Sequence, residues 1–154
     1  MSSLLQYPKN PDTPVSHLPF SPAVQVGNLI FASGQASVDA NGAIIQDTFE
    51  GEFRRSIENM KKVLEAAGSD LRHVVQTRNY VRDPANIARY NELYREYFTA
   101  PFPARTTITG CLPPVLHYEV ECIAAVKTDL ALSMQSAATL RMNGRAPIGG
   151  SATS

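Results

Sequence analysis

Phe102-Pro103-Ala104-Arg105-Thr106-Thr107 joins a stiff approach to a single cation. Pro101 and Pro103 flank Phe102, and proline both fixes its own φ and restrains the residue before it. The β-branched run Thr106-Thr107-Ile108-Thr109 that follows favours a strand. Arg105 therefore stands at or near a strand start, where its guanidinium is a planar fork for a carboxylate or a phosphate. Downstream, His117 to Val126 reads as a second strand, and a period of two puts Glu119 and Glu121 on one face. Leu112-Pro113-Pro114 interrupts the chain between the two runs. Pairing them as a hairpin centred on Leu112 would set Arg105 opposite Glu119, with cation and carboxylate in reach of one small ligand. Read without a ligand, the same residues make a cross-strand ion pair of little energetic worth.

The remaining reactive side chains narrow the chemistry. His17, His73 and His117 are scattered without ligand spacing, so a metal site is not expected. Cys111 and Cys122 are too few for a disulfide framework and read as reduced thiols of a cytoplasmic protein. Cys122 should face away from Glu119 and Glu121. Formal charge is zero, with 14 basic and 14 acidic residues, which argues against a non-specific grip on nucleic acid or anionic membrane. The start, Met1 to Pro8, lacks a basic segment followed by a long apolar core, so no signal peptide is expected. No apolar run is long enough to span a bilayer.

The elements that must position Arg105 and Glu119 follow from periodicity. The 154 residues suit one domain. Residues 1–19, rich in Pro, Ser and Asn, read as an extended arm. Val24 to Val26 and Leu29 to Ala32 flank Gly27-Asn28, a two-residue hairpin signal, and a third strand is expected at Ala43-Ile44-Ile45. Asp47 with Glu50 resembles a capping box. Phe49, Phe53, Ile57, Met60, Leu64 and Ala67 form a helical apolar stripe ended by Gly68. His73 to Val81 reads as a strand, and Asp83-Pro84 opens a second helix whose buried stripe is Ile87, Tyr90, Tyr94 and Tyr97-Phe98. Asn91 shares that stripe, so its amide needs partners. The order strand, strand, strand, helix, strand, helix, strand, strand predicts an α+β fold with helices packed on one face of a single sheet.

Three motifs in this order carry a family resemblance. Val26-Gly27-Asn28-Leu29-Ile30-Phe31-Ala32-Ser33-Gly34-Gln35, then Phe102-Pro103-Ala104-Arg105, then Glu119-Val120-Glu121-Cys122-Ile123-Ala124 resemble the RidA/YjgF family of imine and enamine deaminases, over roughly residues 19 to 126. The resemblance implies a chorismate-mutase-like fold, with one mixed sheet of about six strands and two helices on one face. It further implies a homotrimer with clefts between subunits. The implied reaction is hydrolysis of a 2-imino acid or its enamine tautomer to a 2-keto acid and ammonia, without cofactor or metal. It assigns Arg105 as the carboxylate clamp and Glu119 as the acid/base, with Phe20, Ser33, Asn91 and Thr107 shaping the pocket.

Two positions depart from the usual pattern. Thr107 stands where the family usually has Cys, and Phe20 after Pro19 where it usually has Tyr. Both changes take polar groups from the pocket rim and admit a larger or more apolar imine. The division expected is an arm at 1–19, a deaminase domain at 20–127 and a C-terminal extension at 128–154. Three other functions stay open: a pathway deaminase for an aminoacrylate- or aminomuconate-like enamine, a non-enzymatic ligand-binding or regulatory trimer, and a ribonuclease, which the neutral charge disfavours.

Overall fold

Gly27 adopts φ +56° and, with Asn28, turns the chain between strands β2 (Ala23–Val26) and β3 (Leu29–Ala36). That is the left-handed conformation a two-residue hairpin turn demands. The computed structural model describes residues 4–127, so the expected extension at 128–154 lies outside the described residues. The other elements, in chain order, are a short β1 (Leu5–Gln6), α1 (Phe49–Ala66), β4 (Val74–Val81), α2 (Ile87–Tyr97), β5 (Ala104–Thr109) and β6 (Tyr118–Ala125). They make one six-stranded sheet in the order β1-β2-β3-β6-β4-β5. Only β4 and β5 pair in parallel, joined through α2, because a parallel return needs a crossover element.

Two expectations about this sheet are corrected. The strand beyond the hairpin pair comes from the arm, where Leu5–Gln6 pairs with β2. Ala43 to Ile45 contributes only an isolated bridge between Val38 and Ile44. And β5 and β6 are not a hairpin, because β4 lies between them. Thr77 of β4 faces Arg105 on one side and Cys122 on the other, while Tyr80 faces Ile108 and Glu119. Residues paired across strands project to the same face. Arg105 therefore shares the face of Thr77 and Cys122, and Glu119 projects from the opposite one.

The helices cover the first of these faces. Tyr118, Val120, Cys122 and Ala124 are buried beneath them, whereas Glu119, Glu121, Ile123 and Ala125 are half-buried. The stripe of α1 packs here as its spacing predicts: Phe53, Ile57 and Leu64 are fully buried, and the Phe53 ring lies 4.6 Å from that of Tyr118. Burying each such side chain stabilises the fold by roughly 1.5–3 kcal/mol. Phe53→Ala would cost about 3–5 kcal/mol, since the cavity adds to the lost transfer energy.

The cap of α1 differs from expectation. Thr48 Oγ1, not Asp47, accepts from the Gly51 N–H at 3.2 Å. Glu50 reaches Arg54 and Arg89, and it is Glu52 that turns back to the Asp47 N–H. The buried Glu52 also accepts from the His117 N–H at 2.8 Å, tying α1 to the start of β6.

Candidate functional site

Arg105 emerges at the sheet edge beside α2. Its Nη1 donates to Asn91 Oδ1 at 2.9 Å. The guanidinium carbon stands 5.0 Å from the ring centre of Tyr90 and 4.9 Å from that of Tyr94. Both aromatic faces attract a cation, so ring and amide together aim the fork. Thr107, two residues along β5 on the same face, shares a hydrogen bond of 3.0 Å with the Tyr90 hydroxyl. Burial pushes that phenol up to about 12, so it stays protonated at neutral pH. Asn91, Tyr94, Arg95, Phe102, Pro103 and Arg105 border a recess of about 250 Å³.

Below Arg105 lies a buried polar relay. The Tyr94 hydroxyl meets Thr77 Oγ1 at 2.8 Å, which accepts from Asn79 Nδ2 at 3.0 Å. Asn79 Oδ1 in turn accepts from the Tyr118 hydroxyl at 2.6 Å. Each buried polar group is thereby satisfied, which a low-dielectric interior demands.

Glu119 belongs to a second cleft, of about 380 Å³, on the other face. The irregular pairing of β3 between Ala32 and Gln35 opens space there. Gly34 fills the least possible part of it, since a Cβ at that position would lie 2.3 Å from Glu119 Oε1. Phe20 and Ser33 line the same cleft. Ser33 Oγ donates to Ser21 O at 2.6 Å, fastening the arm to β3. No hydrogen-bond donor among the described residues reaches the Glu119 carboxylate. Burial, reinforced by the like charge of Glu121, raises its pKa. Glu121 is itself occupied by the Tyr80 hydroxyl and, at 3.5 Å, by Arg78.

The residues singled out from sequence thus separate into two half-sites. Arg105, Asn91 and Thr107 stand together on the helix-covered side, and Glu119, Ser33 and Phe20 on the other. Sequence reasoning passed over Gly34, Tyr90 and Tyr94 as site residues. The tyrosines carried a core signal, and they do lie in the core, but their rings also face Arg105. Gly34 was visible within Ser33-Gly34-Gln35; its need to be small was not.

Known proteins match this chain across most of the described fold. Residues 11–126 match the sequence model of the endoribonuclease L-PSP family. A RutC family protein of Pyrococcus abyssi is 40% identical over 108 residues, 69% of this chain and 85% of that one. A 2-iminobutanoate/2-iminopropanoate deaminase of Dermatophagoides farinae is 32% identical over 111 residues, 71% of this chain and 87% of that one. Among solved structures, E. coli TdcF with bound serine superposes with a TM-score of 0.70 at 28% identity, covering 78% of this chain and 98% of that one. The sheet with its two helices is the chorismate-mutase-like arrangement that these structures share. On these grounds the chain belongs to the endoribonuclease L-PSP family, which is the YjgF/RidA family.

Proposed function

We propose that the protein hydrolyses 2-imino acids, or their enamine tautomers, to 2-keto acids and ammonia, at a site completed between copies of the chain. The observation that carries this reading is the separation of Arg105 and Glu119 onto opposite faces of one sheet. Within a single copy the cation and the acid cannot serve one small ligand. Arg105 of one copy set against the Glu119 cleft of a second would supply both. A homotrimer, whose heterologous contacts close into a ring, provides that juxtaposition three times over. The relative named as an imine deaminase supports the choice of reaction.

The chemistry asks little of the protein. Arg105 holds the substrate carboxylate through its guanidinium, with Asn91 and the two tyrosine rings fixing the fork. Glu119 takes a proton from water as the oxygen adds to the iminium carbon, giving a carbinolamine and a protonated Glu119. That proton passes to the amine, the C–N bond breaks, and ammonia leaves. Loss of the hydroxyl proton then completes the ketone. Water and imine become ketone and ammonia with no change in oxidation state, so the reaction itself calls for no cofactor. Gly34, having no Cβ, lets the Glu119 carboxylate lie close against β3.

Ammonia release from imino acids generated in situ tests the reading. Arg105→Ala should nearly abolish turnover, and Arg105→Lys should recover little, since an ammonium lacks the bidentate fork. Glu119→Gln should lower the rate about 10²–10⁴-fold while 2-keto acids still bind. Near-normal hydrolysis in both Arg105→Ala and Glu119→Gln would overturn the assignment and leave the two residues as structural.

A further inference from the structure

Among the described residues, the lining of the Glu119 cleft bears a single charge, that of Glu119 itself. Apart from Ser16, Ser33 and Gln35 its other walls are apolar, and four large side chains among them stay in water: Val15 is 54% exposed, Leu18 68%, Phe20 50% and Ile44 47%. In the single chain, four large apolar side chains around one carboxylate form a hydrophobic surface that a ligand entering between this cleft and a second copy would stabilise by covering. The wall is also built rather than loose. The Val15 N–H donates to Ala40 O at 3.0 Å, joining the arm to the loop that carries Ile44. Gly42 backs this junction so closely that a Cβ there would lie 2.3 Å from Val15 O. Val38 and Ile44 are bridged as well. Clefts of about 300–1,000 Å³ suit ligands much larger than a three-carbon imino acid, and this one measures about 380 Å³.

We propose that this wall is the subsite for the substrate's side chain. The preferred substrates are then 2-imino acids with large apolar side chains, branched aliphatic or aromatic, over methyl- and ethyl-substituted ones. The inference rests on the deaminase reading above. Acidic side chains are disfavoured twice: they would enter beside Glu119, and no cation among the described lining residues could receive them.

The test compares kcat/KM for imines generated in situ from alanine, 2-aminobutyrate, leucine, phenylalanine and glutamate. A single methylene in a fitted pocket is worth about 10–200-fold. The leucine- and phenylalanine-derived imines should exceed the alanine-derived one by at least roughly tenfold on that scale, with the glutamate-derived imine the poorest. Leu18→Ser combined with Ile44→Ser should bring the leucine-to-alanine ratio down towards unity. Both side chains are exposed enough for the fold to survive, which a melting curve would verify. An alanine-derived imine turned over as fast as the leucine-derived one, or a ratio unmoved in the double variant, overturns the inference and spares the deaminase reading. If no imine is turned over, titration with pyruvate and 4-methyl-2-oxopentanoate decides. Tighter binding of the larger keto acid supports the subsite and overturns the reaction, whereas equal binding overturns both.

Discussion

At the scale of single residues, the protonation of Glu119 governs what the cleft can do. Its pKa is raised above the ordinary 4.5, first by burial and then by Glu121. A raised carboxyl is a stronger base, closer to a working pH near neutrality. The sign for stability follows. The folded chain holds the Glu119 proton more tightly than the unfolded chain, so stability falls as pH rises from 4.5 through the raised value. For catalysis by the carboxylate, burial and Glu121 push the acidic limb of the kcat/KM profile up, and an Arg105 brought in by a second copy pulls it back. Glu121→Gln removes the neighbouring charge and should move that limb to lower pH. A limb that stays in place in Glu121→Gln, with melting unchanged, would mean that another group is being titrated. Ser33, Arg105 and Glu119 were singled out in the sequence because each sits in a short motif, and Asn91 because it shares an apolar helical stripe. That no donor among the described residues reaches the Glu119 carboxylate was not legible there, since it depends on how closely Gly34 of β3 lets that carboxylate approach.

At the scale of elements, α2 does for Arg105 what Gly34 does for Glu119. The helix presents two aromatic faces and an amide to one guanidinium. Tyr90→Leu removes one face together with the partner of Thr107. Cation–π contacts at exposed sites contribute about 0.5–1 kcal/mol, so KM should rise roughly 2–5-fold with kcat little changed. Tyr90→Phe keeps the ring and should recover most of that loss. Tyr94→Phe instead breaks the bond to Thr77 and should cost about 1 kcal/mol of stability with a small effect on KM. A fall in kcat without a change in KM in either Tyr90 variant would give Tyr90 a part in the chemical step. The helical stripes were legible because apolar residues repeat at the helical period along α1 and α2. Pairing was not, because Leu112-Pro113-Pro114 suggested a hairpin between neighbouring strands. Yet strand, helix and strand over residues 74–109 already carried the opposite message: such a unit returns in parallel beside its own first strand, leaving β6 to pair on the far side of β4.

For the whole molecule, the sheet has one face under helices and one that no helix of the described residues covers. Leu29, Phe31 and Ile108 are each roughly two-fifths exposed on the uncovered face, where Ile123 and Ala125 are half-buried. Self-association would cover them, and light scattering at micromolar concentration should report three chains. A site shared between copies makes a sharper demand. Arg105→Ala and Glu119→Gln, each nearly inactive alone, should regain activity when co-expressed or refolded together, because some contacts then bring an intact Arg105 to an intact Glu119. Mixed assemblies as inactive as their parents would place the whole reaction within one copy and overturn the shared site. The two half-sites also differ in how much chain each requires. The Arg105 side is gathered from residues 74–109, a contiguous strand–helix–strand. The Glu119 side needs residues from Pro14 to Glu119 brought together. Closing long loops is entropically slow, and local contacts form first. The carboxylate clamp should accordingly gain protection from hydrogen exchange early in refolding, and the acid cleft late. On the proposed reading, a chain caught midway through folding would own the means to hold a carboxylate before it had anywhere to hydrolyse an imine.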